Sequence, residues 1–151
     1  MNIAFAGLRH GHIFVLHEMA LRHPEYTVTG AWEADPAARA AAQEKGVDCC
    51  YATLEALLAD PAVEAVALGG CFADRGGVAI AALKAGKHVI ADKPLCTSPK
   101  ELDEIERLAK ANGKTVSCMF TMRYEKRING AKRLFESGAL GEIAAISFGG
   151  Q

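Results

Sequence analysis

The stretch AGKHVIADKPL, residues 85–95, decides the fold of this 151-residue chain. It combines a helix end, a glycine turn, a short apolar strand and an acid-Lys-Pro triplet. Gly86 suits the left-handed position that closes a helix, because a residue without a Cβ reaches positive φ at no steric cost. Residues 89–91 form the short apolar run expected of a strand that is covered on both faces. Asp92, Lys93 and Pro94 then lie at the carboxyl end of that strand, the edge where open α/β sheets bind their ligands.

The same alternation of strand and helix patterns extends along the chain. Strands are predicted at residues 2–6, 26–32, 48–51, 63–68, 89–91 and 115–120, and helices at 13–23, 36–45, 53–59, 78–85 and 98–112. This alternation predicts an α/β fold with a doubly wound parallel sheet of the Rossmann type, in the strand order 3-2-1-4-5-6. Residues 1–121 are predicted to form a dinucleotide-binding domain. Residues 122–151, with a helix at 123–137 and a strand at 143–148, are predicted to be only the start of a second, α+β domain.

A glycine-containing turn, GLRHGH at residues 7–12, separates the first strand from the first helix. This is the context of a phosphate-binding loop, in which backbone N–H groups at a helix start face a pyrophosphate. In the pattern G-x-G-x-x-G, Gly7 takes the first place, Arg9 the second and His12 the third, while Gly11 is displaced by one residue. Arg9 either supplies a positive charge to the phosphate or is a solvated loop residue.

His10 and His12 allow two interpretations. A His-x-His pair after a first strand also occurs in metal-dependent hydrolases, but ligand sets need three or four converging groups. No strand-end acid is evident as a partner in the sequence, and His17 lies one turn into the helix. No metal site is therefore predicted, and His10, Gly11 and His12 are assigned to the polar surroundings of a cofactor.

Glu33 ends the second strand about 20 residues after the glycine turn. An acid at this position accepts hydrogen bonds from the adenosine ribose hydroxyls of a dinucleotide. Ala34 offers no positive charge to a 2′-phosphate, which favours NAD over NADP, although Arg39 leaves NADP possible. The alternative is that Glu33 is a solvated strand end.

The sequence GKHV followed two residues later by Asp-Lys-Pro resembles the Gfo/Idh/MocA family of glucose-fructose oxidoreductases, inositol dehydrogenases and rhizopine-catabolism proteins. The resemblance covers nearly the whole chain and the amino-terminal half of the family. It implies that Lys93 lies beside the nicotinamide and the substrate hydroxyl. Asp92, where the family has Glu, and Pro94 then belong to the same catalytic and cofactor-binding region.

The loop at residues 69–77 departs from the family, which has Thr-Pro-Asn and then a His that opens the next helix. This chain has Gly70 and Cys71 there, followed by Arg75. Because the loop lies against the cofactor in the family, these three residues are predicted cofactor contacts. The glycines indicate close backbone packing or a mobile lid. Cys71 is interpreted as a small buried thiol, since no base is evident for a nucleophile.

The resemblance implies an NAD(P)-dependent oxidoreductase that transfers a hydride between a nicotinamide and a sugar, polyol or related hydroxyl compound. Lys93 would handle the hydroxyl proton. Most of the substrate domain, including the family's catalytic His, is absent, so this chain is expected to bind dinucleotide without turning over sugars. A non-catalytic dinucleotide-binding module is the alternative, and a metal-dependent hydrolase built on His10 and His12 is a third hypothesis.

Composition limits the partners. Half of the residues are hydrophobic and the formal charge is −1, so no basic surface for nucleic acid is expected. No apolar run approaches the roughly 18 residues of a membrane span, and the amino terminus lacks a signal-peptide pattern. Five Cys without a C-x-x-C motif favour reduced thiols in a cytoplasmic protein. A small-molecule substrate is expected, and a homo-oligomer through the unpaired strand at 143–148.

Overall fold

Five parallel strands form one sheet in the computed structural model, which describes residues 1–147. The strands are β1 (Asn2–Leu8), β2 (Thr27–Trp32), β3 (Ala65–Gly69), β4 (His88–Asp92) and β5 (Val116–Met119), in the spatial order β2-β1-β3-β4-β5. The helices are α1 (Gly11–Arg22), α2 (Pro36–Glu44), α3 (Leu54–Ala59), α4 (Phe72–Lys84), α5 (Pro99–Asn112) and α6 (Lys126–Glu136). The predicted α/β Rossmann-type fold is confirmed.

Alternate side chains of the strands build two cores, one on each face of the sheet. In β1, Ile3 and Phe5 face the cluster that contains Ile13 of α1. Ala4 and Ala6 face the opposite cluster, which contains residues of α3, α4 and α5. The strand period of two therefore buries both faces of β1, as a parallel sheet requires. This two-sided burial explains why β3 and most of β1 consist of apolar residues.

The predicted strand at 48–51 is wrong, and with it the six-stranded order. Residues 48–51 instead run beside β2 and exchange only two backbone hydrogen bonds with it. Ala31 N–H donates to the Asp48 carbonyl at 2.8 Å, and Tyr51 N–H donates to the Ala31 carbonyl at 3.2 Å. Two bonds around one residue do not make a ladder, so the segment covers the sheet edge without extending the sheet.

Helix α4 begins at Phe72, six residues before the predicted start at Val78. Arg75, Gly76 and Gly77 are therefore helical, and the interpretation of this stretch as a loop or mobile lid is wrong. Glycine lowers helix propensity, but packing overrides it here. A Cβ on Gly76 would lie 2.6 Å from the Glu101 carboxyl carbon of α5, so the absent side chain allows close helix approach.

The chain divides into two compact units, Met1–Met119 and Phe120–Gln151. In the second unit, a 3₁₀ turn (Thr121–Tyr124) and α6 replace the single predicted helix at 123–137. Residues 143–147 have no strand conformation, because no neighbouring strand in the described chain pairs with them; Phe148 lies outside the described residues. Over residues 1–147, no helix combines the length and apolar character that crossing a membrane requires.

Replacing Gly7 is expected to destabilise the first unit. Gly7 has a φ of 80°, and a Cβ there would lie 2.4 Å from the Gly70 Cα. Gly7→Ala should lower the free energy of unfolding by about 2 kcal/mol or more, because both the conformation and the backbone contact are unfavourable. Urea unfolding measures this loss.

Gly77→Ala is the matched control, since no atom lies within 4 Å of a Cβ at this helical position. It should leave stability unchanged or raise it by up to about 1 kcal/mol. Equal stabilities of the two variants would contradict the close approach of the β1 and β3 ends.

Candidate functional site

A cavity of about 180 Å³ lies at the carboxyl ends of β1, β2 and β3. It contains six of the predicted cofactor residues, namely Gly7, Arg9, Glu33, Gly70, Cys71 and Arg75. The first residues of α4 border it as well, so backbone N–H groups of a helix start lie at its wall. Such a start suits a negatively charged ligand.

Glu33 is 5% exposed at the end of β2 and is not a solvated strand end. Its carboxylate accepts hydrogen bonds from the N–H groups of Leu8 at 2.5 Å and Asp35 at 2.9 Å. These bonds connect the turn after β1 to the turn after β2. A carboxylate has about four acceptor positions, so two remain for a ligand. Its assignment to a ribose stays a prediction.

The two arginines that could favour a 2′-phosphate are already paired. Arg9 lies 3.4 Å from the Asp35 carboxylate at the cavity rim, which gives its side chain a partner that the sequence did not indicate. Arg39 of α2 donates to the backbone carbonyls of Cys49 and Tyr51 and holds that segment beside β2. The negative charge of Glu33 is therefore not offset by either arginine, which disfavours the 2′-phosphate of NADP.

His10 and His12 converge on Asp92, a partner 80 residues away that sequence reasoning missed. The Nδ1 of His12 lies 3.2 Å from one Asp92 carboxylate oxygen, and the Nδ1 of His10 contacts the other. The two rings meet edge to face with centroids 4.8 Å apart. One donor atom from each of the three side chains lies within 4.8 Å of the others. The expectation that no acid joins the two histidines is wrong.

Lys93 follows this cluster directly, and its backbone N–H donates to the Asp92 carboxylate at 2.8 Å. Within residues 1–147, no ion pair links the Lys93 ammonium to Asp92, whose oxygens face the two histidines instead. The Lys93–Pro94 peptide bond is cis. Gly11 is the first residue of α1, immediately between the two histidines. Lys93, Pro94 and Gly11 thus surround the cluster rather than the cavity.

Arg75 is 1% exposed and links the ends of β3 and β4 through hydrogen bonds. Its guanidinium donates to the carbonyls of Asp92 at 2.7 Å, Pro94 at 2.9 Å and Gly70 at 2.8 Å. Burial lowers the pKa of Arg75, and the negative charge of Asp92 opposes that shift. An arginine still keeps its proton at neutral pH. Its place among the cofactor contacts stays a prediction.

The thiols near the site differ in environment. Cys71 is exposed at the N-cap of α4, which corrects its interpretation as a buried thiol. Burial raises the pKa of the Cys118 thiol in β5, and the charge of Asp92 adds to this rise. Cys118 is therefore neutral beside the cluster.

Seven residues of the cavity wall were not predicted as site residues from the sequence: Ala6, Trp32, Ala34, Asp35, Leu68, Asp74 and Val78. Asp35 caps α2 by accepting from the Ala38 N–H at 2.8 Å, so a capping signal was available for it. Asp74 and Val78 were hidden because the start of α4 was placed too late. Trp32 is the last residue of β2, and no sequence motif distinguishes it from a residue of the hydrophobic core.

The comparisons with known proteins agree with this geometry. A family model described as "Oxidoreductase family, NAD-binding Rossmann fold" matches residues 1–120. The chain belongs to the Gfo/Idh/MocA oxidoreductase family. NAD, the cofactor expected from the sequence, is the one that the family description names.

The matches extend over most of this chain but over less than half of each relative. The solved NAD-binding protein from Listeria innocua superposes with a TM-score of 0.84 at 29% identity, over 93% of this chain and 41% of its own. The uncharacterized oxidoreductase ORF334 of Rhizobium meliloti is 32% identical over 109 residues, which are 72% of this chain and 33% of that protein. The rabbit (Oryctolagus cuniculus) trans-1,2-dihydrobenzene-1,2-diol dehydrogenase is 29% identical over 150 residues, which are 97% of this chain and 45% of that enzyme. The chain thus spans less than half the length of these relatives.

Removing the guanidinium of Arg75 is expected to destabilise the site. Arg75→Met leaves three backbone carbonyls at strand ends without their donor, and each such group costs about 1–3 kcal/mol when buried. The free energy of unfolding should fall by about 3 kcal/mol or more in urea unfolding. Arg75→Lys should not restore it, because an ammonium lacks the planar fork that reaches three acceptors.

Arg107→Met is the matched control, because Arg107 pairs only with Glu104 on the surface of α5. Surface pairs of this kind contribute little. A stability loss as large as that of Arg75→Met would show that Arg75 has no special structural role.

Proposed function

We propose that this chain is the nucleotide-binding part of an NAD-dependent oxidoreductase that acts on a sugar, a polyol or a related hydroxyl compound. Its residues 122–151 begin the substrate domain of the longer protein. The observation that carries the proposal is the position of Lys93. It lies at the carboxyl end of β4, next to the turn that follows β1 and beside an acid that does not neutralise its ammonium group.

The residues present fit a dinucleotide. Gly7 and Gly70 approach so closely that a Cβ on Gly7 would fill the space between the strand ends. The cavity beside them has an acidic side, at Glu33, and the start of a helix, at α4. An acid accepts ribose hydroxyls and a helix start accepts phosphate. Glu33 would therefore hold the adenosine ribose, and the start of α4 would face the pyrophosphate.

Lys93 is the residue that carries the proposed proton transfer at this site. NAD bound here would supply the acceptor for a hydride from the substrate carbon. Lys93, as a neutral amine, takes the hydroxyl proton as the carbonyl forms, and as an ammonium it returns that proton in the reverse direction. The buried Asp92 carboxylate accepts a hydrogen bond from the Lys93 N–H, and this bond fixes the backbone that positions the amine.

A dinucleotide titration followed by an assay of the longer gene product tests the proposal. The 151-residue chain should bind NAD in a calorimetric titration, and the longer protein should reduce NAD with a hydroxyl substrate. Binding without activity in the longer protein would favour a non-catalytic dinucleotide module. Absence of NAD binding by both would overturn the proposal.

Glu33 is expected to select NAD over NADP. Glu33→Gln retains one acceptor oxygen for the Leu8 or Asp35 N–H groups but removes the charge that repels a 2′-phosphate. NAD affinity should fall by about tenfold, in line with the loss of a charged hydrogen bond, while NADP affinity should change less. Titration with both cofactors measures the ratio.

Glu55→Gln, on the exposed side of α3, is the control and should leave both affinities unchanged. An equal loss of NAD and NADP affinity in Glu33→Gln would indicate that Glu33 supports the turn and does not contact the ribose.

Lys93 is expected to act as the acid-base group in the longer enzyme without supporting the fold. Lys93→Ala should lower kcat by about 10² or more, the usual contribution of such a group, and should leave the melting temperature nearly unchanged. Lys84→Ala is the control for the loss of a lysine, because Lys84 is the last residue of α4 and the cavity lies at the other end of that helix. Retained activity with a large loss of stability would contradict the assignment.

A further inference from the structure

We propose that His10, His12 and Asp92 form a binding site for one divalent transition-metal ion of the zinc class. The two histidines frame the first residue of α1, and Asp92 is the last residue of β4. The fold therefore brings three nitrogen and oxygen donors together from two places in the chain. The family description covers the nucleotide and assigns no role to this cluster.

The spacing of the donors suits a metal ion. Two ligands around a tetrahedral ion with bonds of about 2.0–2.1 Å lie about 3.3 Å apart. The His12 Nδ1 already lies 3.2 Å from its Asp92 oxygen. No pair of donor atoms in the cluster exceeds 4.8 Å, so the widest pair needs to close by only about 1.5 Å. Both imidazoles are partly exposed.

The buried charge of the cluster is incompletely satisfied. Asp92 is 0% exposed, and its Oδ2 has no hydrogen-bond donor in hydrogen-bond geometry. The His10 Nδ1 that touches this oxygen likewise lacks such a partner. The two atoms touch each other directly, so a cation bound by both would replace this contact between them.

A supporting shell for the ligands is present. The second Asp92 oxygen accepts the Lys93 N–H at 2.8 Å, which fixes the carboxylate plane. The ring of Phe72 packs against His10, with centroids 5.9 Å apart, and limits its rotation. Hydrogen-bonded carboxylates and restrained imidazoles are the usual surroundings of metal ligands.

The donor set indicates the class of ion. Two imidazoles and one carboxylate leave a coordination position open, as in catalytic zinc sites. The same donors suit other first-row ions, and oxygen-seeking Mg²⁺ and Ca²⁺ are disfavoured by two nitrogen ligands. An ion at this place would lie close to the backbone of Lys93, whose N–H binds the Asp92 carboxylate.

Calorimetric titration of the chelator-treated 151-residue chain with Zn²⁺ alone tests the site. Cys50 and Cys71 are exposed thiols that bind zinc, so the titration uses Cys50→Ser, Cys71→Ser protein as its background. One ion per chain should bind. His10→Ala and His12→Ala should each weaken binding by about tenfold or more, and Asp92→Asn should do the same where it folds.

His23→Ala, at the exposed end of α1, is the control and should keep the affinity of the background protein. Zinc should also raise the melting temperature of the background protein but not of His12→Ala. No saturable binding, or binding that survives both histidine substitutions, would overturn the site. The titration contains no nucleotide, so its failure leaves the oxidoreductase proposal intact.

Discussion

The three hydrogen bonds of the buried Arg75 guanidinium hold the functional edge of the sheet together. They link the carbonyl of Gly70, just after β3, with those of Asp92 and Pro94, at and after the end of β4. Strand ends normally diverge into separate loops, so their carbonyls need donors from elsewhere. One planar cation supplies them here, and the positions of Asp92 and Lys93 follow from it.

Local patterns in the sequence were sufficient for the central strands, because β1 and β3 are buried on both faces. β1, β3 and β4 are bounded by glycines or polar residues, so their positions could be predicted from short apolar runs. Residues 48–51 produced a false strand for the same reason. Arg39 of α2 binds the carbonyls of Cys49 and Tyr51, and a pattern of side chains does not reveal where backbone hydrogen bonds go.

The site was harder to predict than the sheet, since it depends on contacts between distant residues. Lys93 and Glu33 could be found because each follows a strand at a known place in this fold. The start of α4 could not, because Gly76 and Gly77 resemble a loop until α5 is seen to pack against Gly76. Asp92 was identified for its neighbour Lys93, and its convergence with His10 and His12 required the crossover that sets β4 two strands away from β1.

The strand order separates the proposed tasks of the site. Glu33, Arg9 and Asp35 lie at the β2 end, whereas Asp92 and Lys93 lie at the β4 end. With strands about 4.8 Å apart, three intervals place these groups roughly 14 Å from each other. Cofactor selection and proton transfer are therefore too far apart for one small ligand and suit the two ends of an extended dinucleotide. The turn after β1 lies between them, and its Arg9 pairs toward β2 while its His10 contacts β4. Because both N–H groups of Arg9 and His10 donate to the Gly69 carbonyl, this turn is held at the centre of the edge.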